Sequence, residues 1–472
     1  MSPDSGERSP KAPAPHAPAL QKTRLIAHEV LLRILRDGAY ADRALSAALD
    51  RSGLDERDRA FVTDLVYGTL RHGLRLDYYI ASLATRPLHK VPLATLVALR
   101  LGAYQLLETR VADHSAVGEA VALVRRFGPH QAGFANAILR ELGRRRDAGK
   151  LPDPERQGVS PKEAIAIASA HPLWLVELVA DEVGLEETRA WAQANNSVAP
   201  LSLRVNRLRA TRDSVAAELR EAGVEVELGP LPDALAITGG GAIAALPGFA
   251  EGRFTVQDAA AQLVGLLASP APGSFVLDVC AAPGGKATHM AELMDDRGRV
   301  LAVDVHAGKT RLVAQSATRL GLTSITAVAR DASSGEGLRE LLREYGREQV
   351  DAVLLDAPCS GLGTVRRNPE LRHRGPKAIG ELCAKQDRLL DACAAVLRPG
   401  GHLTYAVCTL TRAEGHERVL AFLERHPDFA LAFPADERLT PYRAPLGDGA
   451  CLRTWPHRHA TDGFFAARLV RK

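Results

Sequence analysis

Three stretches of this chain combine residue types and spacings that can do chemistry. The first, Val276-Leu-Asp-Val-Cys-Ala-Ala-Pro-Gly-Gly-Lys286, ends an apolar run in a tight turn of small residues. Such a strand-to-helix turn presents backbone N–H groups to a ligand at the carboxyl edge of a sheet. It is neither a GxGxxG fingerprint nor a phosphate loop, which would need GK followed by Ser or Thr. Asp304 closes the next apolar run, and Asp331 follows the one after it in Ala329-Arg-Asp-Ala332. An acid at the first place suits ribose hydroxyls, and one at the second suits an adenine edge. Turn and acids together point to an adenosine cofactor, NAD or S-adenosylmethionine alike. Alone, either aspartate reads as a helix cap.

The other two stretches each bring a cysteine to a strand end. Asp351-Ala-Val-Leu-Leu-Asp-Ala-Pro-Cys-Ser-Gly-Leu-Gly-Thr364 runs a strand into Asp356-Ala-Pro-Cys359, and Tyr405-Ala-Val-Cys-Thr-Leu410 sets Cys408 just past another. Enzymes that methylate exocyclic amines carry an Asn- or Asp-Pro-Pro-aromatic turn at the first of these places, so a thiol there suggests another reaction. Carbon 5 of cytosine is a poor nucleophile. A thiolate adding to carbon 6, with a proton delivered to N3, makes an enamine whose carbon 5 can attack a methyl sulfonium. The C5 proton must then leave and the thiol be eliminated, steps that a second acid/base group assists. Asp356 supplies an acid beside the pair. The thiols of Cys280, Cys383, Cys393 and Cys451 read as small buried hydrophobes.

The elements that must position these groups follow from the whole chain. Its 472 residues are 46% hydrophobic, 25% charged and 5% aromatic, an ordinary globular composition of multidomain length that excludes collagen-like and disulfide-scaffold classes. No apolar run approaches the 18 or so residues of a membrane span, and the start, with Asp4 and Glu7, lacks the apolar centre of a signal peptide. The six cysteines form no CxxC pair, so no metal site is expected and a reducing, cytoplasmic compartment is. Residues 1–20 read as a disordered Pro/Ala/Ser tail. Residues 21–150 are helical throughout, with Leu25, Ile26, Val30, Leu31 and Ile34 at helix spacing, and predict a compact all-α domain. A polar linker at 147–162 leads to a small α+β module over 163–250, with strands at 201–205 and 224–228 and a helix at 212–222. From Phe254 onward, within a domain of 251–472, apolar runs at 275–279, 300–303, 325–329, 353–355 and 402–407 alternate with amphipathic stretches. That pattern predicts a doubly wound parallel sheet, with further strands at 429–433 and 464–469.

Charge is uneven along the chain. Residues 21–150 hold 21 Lys and Arg against 14 Asp and Glu, within a net charge of +4. A basic, Arg-rich front on a mildly acidic body suggests an anionic partner such as RNA. An Arg-for-Lys bias throughout, with 50 Arg to 10 Lys, gives the same excess without any partner.

Residues 252–472 resemble the RNA cytosine-5 methyltransferase family. The resemblance lies in Gly252-Arg-Phe-Thr-Val-Gln-Asp258, the turn from Cys280 to Lys286, Asp304, Asp331, Asp356-Ala-Pro-Cys-Ser-Gly-Leu-Gly363, Cys408 and Thr461-Asp-Gly-Phe-Phe465. At the front, Asp58-Arg59, Tyr67-Gly-Thr-Leu-Arg71, Leu101-Gly-Ala-Tyr-Gln105 and Asn136-Ala-Ile-Leu-Arg140 resemble the NusB-like RNA-binding domain of the bacterial 16S rRNA branch, and Leu203-Arg-Val-Asn206 its middle module. The resemblance implies a Rossmann-like methyltransferase domain that binds S-adenosylmethionine through Cys280, Ala281, Ala282, Pro283, Gly284, Gly285, Lys286, Asp304, Asp331 and Asp356. It also implies Cys408 as nucleophile and Cys359 as helper in product release. Chemistry alone leaves that order open, because DNA cytosine-5 enzymes attack with the Pro-Cys thiol. Three places depart from the family pattern: Ala406-Val407 for Ser-Thr, Gly415 for Asn, and His373 for Trp in Arg366-Arg-Asn-Pro-Glu-Leu-Arg-His-Arg374. That last, basic stretch reads as a loop over the RNA backbone.

The resulting expectation is a monomeric, S-adenosylmethionine-dependent enzyme that forms 5-methylcytosine in 16S rRNA, at C967, on free rRNA or an assembling subunit. The base must be extruded, since carbons 5 and 6 are inaccessible in a stacked helix. The same chemistry on tRNA or another rRNA site is the alternative, and a non-catalytic ribosome-assembly factor is the rival from another class.

Overall fold

The computed structural model describes residues 21–156, 158–239 and 241–472; the tail expected at 1–20 lies outside this set. The chain divides into two compact units, Met1–Pro172 and Leu173–Lys472.

In the first unit, helices α1 (Lys22–Asp37), α2 (Ala41–Asp50), α3 (Glu56–Ala81), α4 (Leu93–Glu108), α5 (Asp113–Phe127), α6 (Ala132–Asp147) and α7 (Pro161–Ser169) follow in order. Every residue of α4 from Thr95 to Leu106 is buried, so this helix is enclosed on all sides and forms the centre on which α3, α5 and α6 pack. The motif residues at the front serve this packing. The Tyr104 hydroxyl on α4 donates to Asp64 of α3 at 3.0 Å, and Arg100 holds Asp77 with two bonds of 2.6 and 2.7 Å. Helix α7 starts at a capping box, with Ser160 and Glu163 bonded reciprocally and Pro161 at its first turn. It packs on α3, so it belongs with the first unit rather than opening the middle module as its sequence position suggested.

The second unit begins with α8 (Leu173–Val183) and α9 (Leu185–Asn196). A small antiparallel sheet follows, built from β1 (Leu201–Val205), β2 (Glu225–Leu228), β3 (Ala234–Thr238) and β4 (Phe254–Val256) in the order β2-β3-β1-β4. Helix α10 (Arg212–Glu221) covers it, and Val215 and Leu219 share a core with Leu203, Val205, Ile237 and Phe254. This is the expected α+β module, but Phe254 was expected to open the large sheet. Instead it faces Val205 across an antiparallel pair, because its ring fills the small core.

After α11 (Ala259–Ala268) comes the large sheet. Its members are β5 (Phe275–Val279), β6 (Arg299–Asp304), β7 (Ile325–Ala329), β8 (Val350–Asp356), β9 (Leu397–Val407), β10 (Phe429–Leu431), β11 (Arg443–Leu446), β12 (Gly449–Arg453) and β13 (Phe465–Arg471). The order is β11-β12-β13-β9-β8-β5-β6-β7, with β10 on β13. The five strands β5 to β9 pair in parallel, as expected. The rest pair antiparallel, so the sheet is mixed. The β11–β12 hairpin was not foreseen, although Gly447-Asp448 makes the two-residue turn that such a hairpin needs.

Along β5, Phe275, Leu277 and Val279 join the core beneath α14 (Gly335–Glu344), α15 (Ala378–Ala394) and α16 (His416–Arg425). Val276 joins the opposite core beneath α11, α12 (Gly285–Leu293) and α13 (Ala307–Leu320). Burial on both faces explains the nearly unbroken apolar runs of the parallel strands. A last short helix, α17 (Pro456–His459), precedes β13. No helix among the described residues is long and apolar enough to cross a membrane.

Candidate active site

The strand order reverses between β5 and β8, the switch point at which open α/β sheets bind ligands beyond their carboxyl ends. A cleft of about 580 Å³ opens there, and Cys280, Ala282, Asp304, Asp331, Asp356 and Lys385 are among its lining. Cys280 adopts the left-handed backbone, φ 63°. The turn closes through Gly284 N–H to the Ala281 carbonyl at 2.8 Å. Of the expected turn residues, Ala281, Pro283, Gly284, Gly285 and Lys286 do not line the cleft; the first four shape the bend and Lys286 reaches Asp356. The Gly285 carbonyl accepts from Arg204 at 2.8 Å. That arginine is 1% exposed and pairs with Glu292 at 2.8 Å, so the Leu203-Arg-Val-Asn206 motif braces the glycine turn from behind.

Asp304 and Asp331 both act as local caps. Each takes a backbone N–H two residues on through Oδ1, from His306 at 3.0 Å and Ser333 at 2.9 Å. The Ser333 bonds hold Asp331 below the usual carboxylate range. The Oδ2 atom of Asp304 carries no protein bond among the described residues, which leaves an acceptor for a ligand's hydroxyl donors. Asp278 was missed by sequence reasoning. It is fully buried in β5 with neither oxygen bonded, and burial, with Asp356 and Asp304 nearby, pushes its pKa well above the ordinary value. An aspartate inside Val-Leu-Asp-Val was the available signal.

Asp356 ends β8 and binds Lys286 Nζ at 2.7 Å. Burial pulls Lys286 down, but the Asp356 charge and hydrogen bond outweigh it and the ammonium ends above its ordinary pKa. Lys286 therefore stays charged. Beside this pair the Sγ atoms of Cys359 and Cys408 lie 3.4 Å apart. The hydrogen bond with Cys408, then burial, then the charges of Cys408 and Glu414 push the Cys359 thiol well up. The Cys359 thiol is thus pushed towards its protonated form, and either sulfur can donate in the contact between them.

Glu414, also missed, sets this spacing. Its buried carboxylate accepts from Ser360 N at 2.7 Å, Ser360 Oγ at 2.6 Å, Thr409 Oγ1 at 3.1 Å and Thr411 Oγ1 at 2.8 Å. Ser360 and Thr409 directly follow the two cysteines, so one carboxylate holds both loops in register. The Tyr405 hydroxyl donates to the Glu414 carbonyl at 2.6 Å. Gly363 N–H closes on the Cys408 carbonyl at 3.0 Å. A Cβ on Gly363 would stand 1.8 Å from the Gly463 carbonyl oxygen, so only glycine fits.

The basic stretch 366–374 does not form the free RNA loop its charge suggested. Arg367 binds Asp258 at 2.8 Å and Asp462 at 3.1 Å. Arg366 donates to the Val198 carbonyl at 2.9 Å, and buried Arg372 to the Asn195 carbonyl at 2.8 Å and Asn196 Oδ1 at 2.7 Å. These cations join α9, the start of α11 and the β12–β13 connection. Burial, with Asp258 adding and Arg367 opposing, pushes the Asp462 carboxyl up to about 7. Two of the departures also have packing roles. Ala406 and Val407 are fully buried in β9, and a Cβ on Gly415 would meet the Phe465 ring at 2.9 Å.

Against known proteins, residues 265–470 match the 16S rRNA methyltransferase RsmB/F model, residues 21–144 the NusB family, and residues 171–244 the RsmF/B-like ferredoxin-like domain. The probable ribosomal RNA small subunit methyltransferase B of Bacillus subtilis is 34% identical over 456 residues, 95% of this chain and 98% of that protein. This chain belongs to the RsmB/F family of 16S rRNA methyltransferases.

A second family member, from Synechocystis and described in the same words, is 38% identical over 95% of this chain and 99% of its own. Among solved structures, PH0851 superposes with a TM-score of 0.78 at 28% identity, covering 95% of this chain and 98% of that one. A methyltransferase homologue from Pyrococcus horikoshii gives 0.56 at 26% identity over 66% and 100%. The family's ferredoxin-like match ends at residue 244, yet the small sheet is completed by β4 ten residues later.

Proposed function

We propose that this RsmB/F family member uses S-adenosylmethionine to methylate carbon 5 of a cytosine in 16S rRNA, C967, through a transient bond from Cys408 to carbon 6. The observation that carries this reading is the pair of thiols 3.4 Å apart beside a cleft lined by strand-end carboxylates. The cofactor fits the donor set: Asp304 for ribose hydroxyls, Asp331 for the adenine edge, and the turn from Cys280 to Lys286 with Asp356 for the remainder. When bound it supplies an electrophilic methyl carbon.

The chain's own groups do the rest. The Cys408 sulfur adds to carbon 6 while Asp356, oriented by the Lys286 ammonium, serves the N3 edge of the base. After methyl transfer the C5 proton leaves and the C6–S bond breaks. Cys359, held protonated against Cys408, then hydrogen-bonds the departing thiolate. In the first unit, a cleft of about 870 Å³ lined by Arg125, Arg140 and Arg144 supports a role for the NusB-like domain on the RNA backbone.

The two thiols have separable roles. Cys408→Ala removes the route to the enamine, so neither methylation nor a covalent protein–RNA species forms. Cys359→Ala still attacks and methylates but stalls before release, and accumulates an adduct seen as a slow band on a denaturing gel. An adduct with Cys408→Ala and none with Cys359→Ala would reverse the assignment. Full activity in both variants, with an adduct in neither, would remove the cysteine mechanism altogether.

A further inference from the structure

A second cavity of the Leu173–Lys472 unit, about 380 Å³, shares no lining residue with the cleft between β5 and β8. It opens among the end of α8, the start of α16, residues 441–447 and the end of β12. Arg412, Arg443, Arg453, Arg458, His416 and His459 line it, against the single carboxylate of Glu182.

Part of the positive charge here is consumed within the protein, since Arg458 binds Glu187 at 2.6 Å, and part is not. Arg453 is 5% exposed, yet only its Nη2 is engaged, with Glu182 at 3.0 Å and the Leu410 carbonyl at 2.8 Å. Its Nε and Nη1 donors have no hydrogen-bond partner among the described residues, and buried donors left unmatched are costly. Burial pulls the Arg453 guanidinium below its ordinary pKa; Glu182 opposes, and Arg412 and Arg458 add to the effect. His416 is pushed down to about 4 by burial and by Arg453 and Arg412. Arg412 and Arg443 have no carboxylate partner among the described residues, and Arg443 rests only over the Phe433 ring at 5.4 Å.

We propose that this cavity is an anion site that takes a backbone phosphate of the rRNA substrate, with Arg453 at its base and Arg412 and Arg443 at its rim. Guanidinium groups match phosphate oxygens in geometry and resist deprotonation, and the family's substrate is a polyanionic phosphodiester chain. The inference rests on the reading of this chain as an rRNA methyltransferase. Its consequence for that reading is positional. Arg453 grips the carbonyl of Leu410, two residues past Cys408, so a phosphate bound here ties the RNA backbone to the loop carrying the nucleophile.

The test uses the full chain and a 16S rRNA fragment containing the target, with binding measured across a salt series. The double variant Arg412→Glu/Arg443→Glu changes two exposed side chains and should fold, which a thermal melt checks. Its RNA affinity should fall about tenfold or more at low salt. The slope of log K against log[salt] should become shallower by about 0.7–0.9 for each phosphate that is no longer neutralised. S-adenosylmethionine affinity, read by calorimetry, should not change. Arg339→Glu/Arg343→Glu, an equally large charge reversal on α14, is the control and should weaken binding less. Equal losses in the two double variants would overturn the site in favour of a general field effect. Unchanged affinity and slope in the rim variant, with wild type binding normally, would overturn the site and leave the enzyme reading intact. Wild-type protein that neither binds nor methylates the fragment would sink the enzyme reading and the site with it.

Discussion

The cleft beyond β5 and β6 and the thiol pair beyond β8 and β9 lie at the ends of one sheet, yet they are built in opposite ways. In the cleft, Asp304 and Asp331 are each fixed only by short-range bonds from a residue two positions on, and acceptor capacity is left over on Asp304. At the thiols, Glu414 gathers groups from the Cys359 loop, the Cys408 loop and α15, the last through Gln386 at 3.3 Å. A region that binds a departing and returning molecule keeps polar atoms unspent. A region that makes and breaks a covalent bond needs its sulfur atoms held in place, because small displacements of reacting groups are expensive in rate.

The largest effect should come from loosening the tight region. Glu414→Ala removes the shared acceptor of both cysteine loops while touching neither sulfur. A loss of about 100-fold in kcat is expected, with KM for S-adenosylmethionine nearly unchanged and a lower thermal midpoint. Glu414→Gln, which keeps the shape and some acceptor capacity, should recover part of the rate. If kcat stays at the wild-type level in the Ala variant, the loops are held by other means and the contrast drawn above fails.

In the open region the effect should be smaller and of another kind. Asp304→Ala should weaken S-adenosylmethionine binding by about 1–3 kcal/mol, the scale of hydrogen bonds to a charged group. The melting temperature should stay put, since only one local bond to the protein is lost. Calorimetry that finds unaltered affinity would reduce Asp304 to a helix cap.

The smallest effect concerns pH. The Asp462 carboxyl is raised to about 7 in the folded chain from an ordinary 3.8, so the folded state binds the proton more tightly than the unfolded one. The associated stability is fully present below about pH 4 and is lost as pH rises through about 7. Asp462→Asn should therefore flatten that part of the stability profile of the Leu173–Lys472 unit. A wild-type profile that instead climbs between pH 4 and 7 in step with the variant would mean that Arg367 keeps the carboxylate ionised throughout.

Much of this architecture was written in local pattern. The runs at 275–279, 300–303 and 402–407 became β5, β6 and β9 because strands buried on both faces must be apolar at consecutive positions, while the run at 325–329 became the half-buried edge strand β7. The helical front was legible from its 3.6-residue period. The β11–β12 hairpin escaped because Pro445 interrupts one short strand, which is tolerated only at a sheet edge. The arginines of 366–374 were misread for a related reason: charge in a sequence carries no information about whether a carboxylate waits across the fold, as Asp258 and Asp462 do for Arg367.

By itself, then, the sequence determined which groups stand at strand ends, since strand length and glycine turns are local matters: Cys280, Asp304, Asp331, Asp356, Cys359 and Cys408 all fell where their apolar runs stopped. Only the tertiary structure decided what those groups meet. Strand pairing between β8 and β9 brings two thiols 49 positions apart to 3.4 Å. The hydrogen bond between them, and burial after it, then push the Cys359 thiol up, and a carboxylate six residues beyond the second cysteine becomes the clamp for both loops. Desolvation and long-range pairing act through distance in space, and distance in space is the quantity a linear pattern does not contain.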